Sequence, residues 1–446
     1  MTETPETLDG AIPGPHGHPV LGMAGAFKRD LLGTLHAGFH EFGDIVEFRI
    51  GSKRWNRKVV AVYRPEVVSE VFADLETYGR NTSSFASLGE MFGENLVTTE
   101  GDAWRRQRRL LQPLFTPRHV SQYVALMQEE ADRLRQEGYV QTNGIVDLVP
   151  VLERYALRIL SRTLFRGHDG VEEAIEKFER LVPLIGSRVR GRASAVPRLP
   201  LGAPILSSRR FLALRKELYK TVDGILARPR KGNPDDLVGR IRAARDPETG
   251  RRPTVDEVRN QALIFLVSGH TTTSNAMTFT LYLLGRHPEI QEIVAKSLNQ
   301  PTIGPGEFDF VRGAVQEAMR LYPSAYAVAR RVTADTVLAG HRIKRGTDVM
   351  VSPWVTHRHP DFWPHPDDFR PERFRGPNKR PRYAYFPFGG GPRVCIGEHL
   401  AMLEATTVIG SLLSRYRVVS QDAELPLAQL VSLRPAGPVR TRWEPR

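Results

Sequence analysis

The chain has 446 residues, 41% of them hydrophobic and 25% charged, a composition typical of a soluble globular enzyme. Its single cysteine excludes an internal disulfide and the zinc and iron–sulfur sites that need several thiolates. The formal net charge is +13, and such a balance suits an acidic protein partner, an anionic membrane surface or nucleic acid.

The basic residues are spread along the chain, without zinc-finger spacing, an aromatic RNA-binding strand or a basic zipper. We therefore expect a protein-docking face, or charge that serves solubility alone, rather than nucleic-acid binding. The N-terminus is acidic and then rich in proline and glycine, unlike a signal peptide. The longest dense apolar run, 262–267, is too short to cross a membrane. We expect a cytoplasmic protein without a transmembrane segment.

The apolar pattern predicts a mainly α-helical protein with small β-sheets, that is, an α+β fold. Residues 1–20 are predicted to form a turn-rich arm, and residues 21–446 a single domain. Residues 43–63 alternate apolar and polar side chains around a turn, which predicts a β-hairpin. Helical periodicity dominates from residue 65 to residue 325.

Two stretches without periodicity interrupt this helical part, at 166–170 and 197–204. A second group of short strands is predicted near 332–352. The passage that follows, 357–392, is rich in proline and has little periodicity. A loop of this length inside a compact domain is usually functional.

Trp104 and Arg108, in the segment DAWRRQRR, are separated by one helical turn. Arg108 can therefore face an interior anion while Arg105, Arg106 and Arg109 point to water. The alternative is a basic helix face that is wholly solvated, and these residues alone leave both interpretations open.

A long helix is predicted between Thr254 and His287. Thr254 and Glu257 form a capping-box pattern, and a proline after His287 stops the helix. Its middle, 268–274, has serines, threonines and a glycine where a buried helix would prefer leucine or alanine. Either the hydroxyls bond to carbonyls one turn earlier and kink the helix, or the helix is opened locally to receive a ligand.

Glu317 and Arg320 lie three residues apart and share one face of an otherwise apolar helix. Arg373, in the proline-rich FRPERF, offers a second cation. A buried Glu317 held by both arginines would lock the proline-rich passage to the helix. An exposed pair would contribute only a few tenths of a kcal/mol.

Cys395 lies in FPFGGGPRVCIGEHL, between three glycines and a helix-like run. It could be buried filler, a nucleophile or a metal ligand. Filler does not need the glycine-rich approach, while a nucleophile needs a base, and His399 lies one turn further on. As a thiolate ligand, Cys395 would gain from a turn at 389–391 that points N–H groups at sulfur. A helix beginning near Gly397 would favour the thiolate through its positive end, and Arg393 could neutralise a carboxylate of the ligand.

The pattern F-x-x-G-x-R-x-C-x-G around Cys395 resembles the haem-ligand loop of the cytochromes P450. It is present in full as Phe388, Gly391, Arg393, Cys395 and Gly397. The W-x-x-x-R pair, the glycine–threonine stretch of the long helix, the E-x-x-R pair and the PERF passage occur in that family's order. The resemblance spans residues 10–435 and implies a mainly helical cytochrome P450 fold.

This resemblance implies a haem b whose iron is ligated by Cys395, with thiolate donation that favours cleavage of bound dioxygen. Arg330 is implied to bind the haem, and its neighbour Arg331 is the alternative. Glu317, Arg320 and Arg373 would form a structural charge triad. The implied haem-binding side chains are Trp104, Arg108, Arg330, Arg393 and Phe388.

The long helix would cross the distal face of the haem, with Gly269 leaving room for oxygen and Thr272 donating a hydrogen bond to it. One position departs from the family, which commonly carries an acid immediately before that threonine. This chain has Thr271 there. Proton delivery cannot use that carboxylate, so Thr271, His270, Ser268 or ordered water would take its place.

The resemblance implies O2 as co-substrate and electrons from a separate ferredoxin with its reductase, or from a flavodoxin. We expect an acidic partner whose association slows as salt rises. The cations expected on the docking face are Arg105, Arg106, Arg109, Lys379, Arg380 and Arg382.

A substrate loop is implied at 83–99, and its apolar side chains either line the pocket or pack between helices. They are Phe85, Leu88, Met91, Phe92, Leu96 and Val97. We expect hydroxylation or epoxidation of an apolar small molecule of terpenoid, lipid or polyketide type. The alternatives are a P450-type isomerase or dehydratase, a peroxide-driven enzyme, or a haem-binding protein without catalysis.

Overall fold

Helices form most of the chain that the structure describes. Both predicted interruptions of the helical part, 166–170 and 197–204, lie outside the described residues, as do residues 1–10 of the predicted arm. The computed structural model describes residues 11–52, 55–80, 82–136, 144–165, 173–174, 176–178, 180–181, 208–227, 236–298, 309–377 and 379–446.

The longest helix, Val255–Arg286, is the central helix, and shorter helices pack around it. None of the described helices combines the length and the low polarity that a membrane crossing requires. The remaining α-helices are Ala24–Arg29, Leu31–Phe42, Pro65–Ala73, Ser83–Phe92, Gly101–Leu111, Pro117–Val120, Val124–Gln136, Leu148–Phe165, Ser208–Ala227, Leu237–Ala243, Pro288–Leu298, Phe310–Leu321, Pro353–Thr356 and Glu398–Leu413.

The predicted ends of the central helix are confirmed. The Thr254 N–H donates to Glu257 Oε2 over 2.7 Å, and the Glu257 N–H donates to Thr254 Oγ1 over 3.2 Å, which completes the capping box. The helix ends at Arg286, before His287. Between these ends most residues are buried, because other helices cover the central helix on several sides.

The locally opened form of the central helix is not observed. Every residue from Val255 to Arg286 is α-helical. Within the serine- and threonine-rich stretch, Thr272 Oγ1 donates to the Ser268 carbonyl over 2.6 Å, and Ser274 Oγ donates to the Thr271 carbonyl over 3.2 Å. These two hydroxyls are therefore satisfied by carbonyls three and four residues earlier, and the helix stays continuous.

Small sheets flank the helices, as predicted. The largest has the strand order β1-β2-β8-β5-β3, a second has β4-β12-β9, and two pairs join β6 to β7 and β10 to β11. The strands are β1 Ile45–Ser52, β2 Trp55–Val62, β3 Tyr78–Gly79, β4 Ile145–Asp147, β5 Val328–Val332, β6 Thr336–Leu338, β7 His341–Ile343, β8 Asp348–Val351, β9 Tyr416–Ser420, β10 Leu427–Gln429, β11 Leu433–Pro435 and β12 Arg440–Pro445.

The predicted hairpin is confirmed as the antiparallel pair β1–β2, with Ile45 opposite Val62. Strand β2 is buried on both faces, since Val59 packs in one apolar cluster and Val60 in another. The second strand region begins at Val328, earlier than predicted, and strand β5 there carries residues that reach the site.

The described part of the predicted arm lies along strand β1. The Glu47 N–H donates to the Pro13 carbonyl over 2.9 Å, and Gly22 pairs with Ile50. These contacts hold residues 11–22 against the sheet. The division into an arm at 1–20 and one domain at 21–446 stays a prediction.

The predicted charge triad is confirmed by the side-chain contacts. Arg320 Nε and Nη2 donate to the two carboxylate oxygens of Glu317, each over 2.8 Å, and Arg373 Nε donates to Glu317 Oε1 over 3.1 Å. Glu317 and Arg320 are fully buried. The triad joins helix Phe310–Leu321 to the proline-rich passage, which is irregular as predicted and leads to Cys395.

Candidate active site

A cavity of about 380 Å³ lies between the central helix and the loop that carries Cys395, and we name it the central cavity. Most of its lining is apolar. Helices Gly101–Leu111, Leu148–Phe165 and Glu398–Leu413 contribute side chains, as does strand β5. The cavity thus collects residues that are far apart in the sequence.

Cys395 is exposed, and it contributes to the lining of the central cavity. The Cys395 N–H donates to the Phe388 carbonyl over 3.0 Å, which closes the loop between these two residues. The predicted helix after Gly397 is confirmed as Glu398–Leu413. Sulfur therefore lies at the start of a helix and faces the cavity, as a ligand of a bound metal would.

The glycines before Cys395 shape the loop, but their N–H groups do not point at sulfur. Gly389 and Gly391 have φ angles of 74° and 65°, a region that favours glycine. Their N–H groups donate to the Phe386 carbonyl and to Tyr383 Oη. The sequence prediction on this point is wrong, because both donors are used inside the loop. The backbone N–H that bonds to the Cys395 sulfur belongs to Gly397.

Surrounding protein atoms desolvate the Cys395 thiolate and raise the pKa of the thiol above its ordinary value, although the residue keeps accessible surface on the central cavity. The hydrogen bond from Gly397 lowers this pKa, Glu398 raises it, and Arg108 and Arg80 lower it. We predicted that the helix start would favour the thiolate, but desolvation outweighs that effect in the protein alone. A metal ion that binds the sulfur removes the proton outright.

Four arginines line the central cavity: Arg80, Arg108, Arg330 and Arg393. Several of their nitrogen atoms are buried without a hydrogen-bond partner among the described residues, namely Nε of Arg80, Nε and Nη1 of Arg330, and Nη1 of Arg393. A buried donor without a partner costs free energy. Such atoms around one cavity indicate that it takes a ligand with anionic groups.

Burial lowers the pKa of Arg330 and of Arg393 to about 10, and that of Arg80 well below its ordinary value. Arg393 lowers the pKa of Arg330 further, and both lower that of Arg80, by mutual repulsion. Carboxylates of a ligand would relieve this repulsion. An apolar macrocycle with two propionates and a metal that binds sulfur fits this set of donors, and haem b is such a ligand.

The structure distinguishes Arg330 from Arg331. The two residues are adjacent on strand β5, so their side chains point to opposite faces of the sheet. Arg330 is 1% exposed and lines the central cavity. Arg331 Nε lies 2.5 Å from Asp348 Oδ1 instead. Arg330 is therefore the residue of this pair that can reach a ligand in the cavity.

Trp104, Arg108 and Phe388 also line the central cavity, where they were expected. The Arg393 guanidinium lies 4.3 Å from the centre of the Trp104 ring, a cation–π contact that orients Arg393. Arg108 Nη1 donates to the Val394 carbonyl over 2.9 Å. Helix Gly101–Leu111 is thus attached directly to the cysteine loop.

Sequence reasoning missed Arg80. It follows the two-residue strand β3, and no local pattern marks it. Its guanidinium lies 4.9 Å from the centre of the Phe85 ring, and its Nη1 donates to the Val97 carbonyl over 3.3 Å. Arg80 therefore joins the cationic side of the cavity to the predicted substrate loop.

One face of the central helix lines the cavity. Its members recur at intervals of three and four residues, the period of an α-helix: Phe265, Ser268, Gly269, Thr272, Thr273 and Ala276. Thr272 is on this face, as expected. Thr271 and His270 are not among the residues that line the cavity.

His270 is 4% exposed, and its ring packs edge-on against Phe178 with 6.0 Å between centroids. Burial lowers its pKa to about 4, and the ring hydrogen-bonds to the backbone of Glu153. His270 is therefore a neutral packing residue on a different face of the helix. Of the substitutes named for the missing acid, only Ser268 lies on the cavity.

Gly269 lines the cavity, but a side chain of a neighbouring helix lies where a side chain at position 269 would be. A Cβ atom at this position would lie 2.9 Å from Leu160 Cδ1. The glycine is thus required for close packing of the central helix on helix Leu148–Phe165. This requirement holds whatever room a ligand needs.

The predicted substrate loop divides into two groups. Phe85, Leu96 and Val97 line the central cavity. Met91 and Phe92 are fully buried in the apolar core, and Leu88 packs against that core. The pocket-lining interpretation therefore applies to the first group and the helix-packing interpretation to the second.

Several cations of the expected docking face already have partners. Arg105 pairs with Asp102 over 2.8 Å. Arg106 pairs with Glu257, and Arg109 lies 2.8 Å from Glu248.

The remaining three cations come from the proline-rich passage. The Arg380 guanidinium is partly buried and lies 4.3 Å from the Trp363 ring centre. Lys379 and Arg382 are exposed. Of the six residues, Arg105, Lys379 and Arg382 present their charge most openly to solvent.

Comparison with known proteins agrees with this geometry. The family model described as Cytochrome P450 matches residues 12–439. The chain is 29% identical to a cyclooctat-9-en-7-ol 5-monooxygenase of Streptomyces melanosporofaciens, over 91% of this chain and 88% of that protein. It is 28% identical to the pentalenene oxygenase of Streptomyces avermitilis, over 92% of each.

The fold is similar to the crystal structure of the cytochrome P450DA heme domain, with a TM-score of 0.85, 24% identity and 98% of each chain covered. The family match includes every element that lines the central cavity. The chain therefore belongs to the cytochrome P450 family, the haem b monooxygenases.

Proposed function

We propose that this enzyme inserts one oxygen atom of O2 into an apolar small molecule held in the central cavity, with Cys395 as the iron ligand of its haem b. One observation supports the assignment of the central cavity as the haem site. The only cysteine of the chain faces a cavity where buried arginine nitrogens lack partners among the described residues. Sulfur for iron and cations for propionates are the two things that a bound haem requires of its protein.

Bound haem supplies the oxygen chemistry, in which O2, two electrons, two protons and the substrate give a hydroxylated or epoxidised product and water. The protein holds the cofactor and controls its surroundings. Arg80, Arg330 and Arg393 would pair with the propionates. The Gly397 N–H would bond to the ligating sulfur and tune its donation to iron.

The same cavity would also hold substrate and protons. Phe85, Leu96 and Phe265 contribute apolar surface to its lining, which excludes water and binds hydrocarbon. Thr272 belongs to the same lining. It donates to the Ser268 carbonyl and can accept a hydrogen bond from water at the same time, so it can pass a proton.

We propose a terpenoid-type substrate. Two relatives are named for cyclooctat-9-en-7-ol and for pentalenene, and a mostly apolar cavity suits a molecule of such chemistry. The cations of the cavity are needed for the cofactor. A substrate with a carboxylate would compete for them, so we expect a neutral substrate.

The electrons come from a separate acidic protein, a ferredoxin or a flavodoxin. Exposed cations support this proposal: Lys379 and Arg382 lie in the passage leading to the cysteine loop, and Arg105 lies on the helix that contacts this loop through Arg108. Complementary charge accelerates encounter and is screened by salt. We expect the association rate to fall with ionic strength, and more steeply for the native enzyme than for a K379Q/R382Q variant.

The proposed function is tested by the spectrum of the purified protein reduced under carbon monoxide. We expect the absorption of thiolate-ligated haem, and we expect Cys395→Ser to lose it. Terpenoid hydrocarbons and monoalcohols are then added to the ferric enzyme, and displacement of iron-bound water is followed spectroscopically. Protein that binds no haem would contradict the site, and response only to charged ligands would contradict the substrate class. Turnover with peroxide but never with O2 and reductant would favour the peroxide-driven alternative.

A further inference from the structure

A buried glutamine of the central helix holds the backbone of the predicted substrate loop, a role that the mechanism above does not include. Gln261 is 3% exposed and lies one helical turn before Phe265, which lines the central cavity. Gln261 itself is not part of that lining. Its Oε1 accepts a hydrogen bond from the Leu96 N–H over 3.2 Å. The side chain therefore acts on the loop and not directly on a molecule in the cavity.

The nitrogen of the same amide is held by a second helix. Gln261 Nε2 donates to Gln107 Oε1 over 2.9 Å, and Gln107 belongs to helix Gly101–Leu111, which contacts the cysteine loop. The Thr99 hydroxyl donates to the same Gln107 oxygen over 3.3 Å. Both glutamines are buried, so a bond that is lost here is not replaced by bulk water. The orientation of the Gln261 amide is thus fixed, with its nitrogen toward Gln107 and its oxygen toward the loop.

The segment that Gln261 holds is a part of the loop that reaches the cavity. Leu96 and Val97 both line the central cavity, and we name them the wall pair. Within the loop, Asn95 Oδ1 accepts from the Val97 N–H over 3.0 Å, which makes a compact turn. The Val97 carbonyl accepts from Arg80 Nη1 over 3.3 Å. The wall pair is therefore fixed at Val97 by Arg80 and at Leu96 by Gln261.

Further contacts hold the loop before it reaches the wall pair. Asn260 Nδ2 donates to the Glu94 carbonyl over 3.3 Å. Arg215 Nε and Tyr219 Oη both donate to the Met91 carbonyl, over 2.7 Å and 3.0 Å. The loop should therefore stay attached to the surrounding helices when the glutamine bond is lost, and the freedom gained is confined to the wall pair.

We propose that Gln261 is a positioning residue for the substrate. By holding the Leu96 N–H it fixes the wall pair, and it thereby determines which shapes of apolar molecule the central cavity accepts. A buried N–H that loses its partner has to find another, so the loop shifts when the amide is removed. A wall that is already in place binds an apolar molecule without first being ordered. This role rests on the proposed oxygenase function and names a determinant of its substrate specificity.

The test replaces Gln261 by methionine in the holoenzyme, because methionine has a similar length but lacks the amide. The probes are imidazole and 4-phenylimidazole, which both bind haem iron through nitrogen and are titrated by absorbance. Imidazole is small, whereas 4-phenylimidazole adds an apolar ring that the cavity walls have to accommodate. We expect Gln261→Met to raise the dissociation constant of 4-phenylimidazole about tenfold, because the wall pair is then ordered only on binding. The dissociation constant of imidazole should stay within about twofold of the native value, since imidazole does not need the wall.

Gln291→Met is the matched control. Gln291 is 1% exposed and does not line the cavity, yet its amide also holds backbone groups. Its Nε2 donates to the Leu284 and Val418 carbonyls, each over 2.8 Å, and its Oε1 accepts from the Val418 N–H over 2.9 Å. Gln291→Met should therefore destabilise the protein at least as much as Gln261→Met. It should leave the ratio of the two dissociation constants unchanged.

Two further measurements examine how Gln261 acts. The Leu96 N–H should exchange slowly with solvent in the native holoenzyme and faster in Gln261→Met, because its acceptor is removed. Gln107→Met frees the Gln261 amide to turn, so it should change the ratio of the dissociation constants in the same direction. Since Gln261 acts through the wall pair, Gln261→Met should have a smaller effect on 4-phenylimidazole in a Leu96→Ala background than in the native enzyme.

Equal ratios of the two dissociation constants in the native enzyme and Gln261→Met would overturn the proposal. So would the same change of ratio in Gln291→Met, which indicates a general loss of stability. If Gln261→Met does not fold, rapid exchange of the Leu96 N–H in the native enzyme, or a native ratio in Gln107→Met, would overturn it. Failure of the proposed function is recognised separately, because the native enzyme would then lack the thiolate–haem spectrum or any turnover with O2.

Discussion

Arg320 donates two hydrogen bonds to Glu317, each 2.8 Å long, and neither side chain is exposed to solvent. The remaining Arg320 contacts go to the carbonyls of His357, Pro366 and Asp368. All five N–H groups of this guanidinium are thus engaged. The pair therefore anchors the proline-rich passage that leads to the cysteine loop, although it lies outside the cavity.

Substitution of Glu317 by alanine should destabilise the protein by about 3–5 kcal/mol, because the buried Arg320 and the partly buried Arg373 then lose their carboxylate. Denaturant unfolding of the holoenzyme at pH 7 measures the change. Glu372→Ala, an exposed glutamate of the PERF passage, is the control and should change stability by less than about 0.5 kcal/mol. A loss below about 1 kcal/mol for Glu317→Ala would contradict the anchoring role.

Arg330→Leu should weaken haem retention more than Arg331→Leu does. A lost hydrogen bond to a charged group is worth about 1.5–3 kcal/mol, which corresponds to roughly tenfold to hundredfold faster haem loss. Transfer of haem to an acceptor globin measures this rate. Arg331→Leu removes the ion pair with Asp348 and should lower the free energy of unfolding instead. Equal rates of haem loss in the two variants would contradict the assignment of Arg330.

Thr272→Ala should uncouple O2 consumption from product formation, because the hydroxyl that faces the cavity is lost. Thr272→Ser keeps a hydroxyl and should retain most of the coupling. Thr271→Ala should leave coupling near the native value, since Thr271 does not line the cavity. The measurement is the ratio of product to O2 consumed. Unchanged coupling in Thr272→Ala would show that the proton path runs through other residues.

Acidification should destabilise the fold through His270. Burial lowers its pKa to about 4 from an ordinary value of 6.5. Between these values the unfolded chain binds a proton that the folded chain does not, so stability falls as pH decreases from 6.5 toward 4. At 1.36 kcal/mol per pH unit, His270 accounts for roughly 2 kcal/mol of stability lost between pH 7 and pH 5.

Denaturant unfolding at pH 7 and at pH 5 tests this prediction. His270→Gln should lose roughly 2 kcal/mol less than the native protein between the two pH values. His357, whose pKa burial also lowers, remains in both proteins and contributes equally. His16→Gln, at an exposed position, should behave like the native protein. The same pH dependence in His270→Gln and in the native protein would exclude His270 as a cause.

Much of the fold could be predicted from short stretches of sequence. The alternation of residues 43–63 predicted the β1–β2 hairpin, and the Thr254 capping box and the proline after His287 predicted the ends of the central helix. The spacing of Glu317 and Arg320 predicted a shared helix face. These features depend on contacts within a few residues, and such contacts repeat with the period of the secondary structure.

The cavity could be predicted only in part. Cys395, Arg108, Arg393 and Thr272 belong to motifs, and they line the cavity as expected. Arg80 has no local signature. The use of the loop glycine N–H groups was predicted wrongly, because their acceptors lie in the folded loop itself.

The sequence by itself determined the family and the order of the elements, and it indicated Cys395 as the proposed sulfur ligand, because these are written in local patterns of residues. Only the tertiary structure decided between Arg330 and Arg331, turned Thr271 and His270 away from the cavity and placed Arg80 on it. The physical reason is that a cavity lining depends on how each helix and strand is rotated about its axis. That rotation is set by packing between segments more than a hundred residues apart, as when Leu160 packs against Gly269 and Arg108 bonds to Val394.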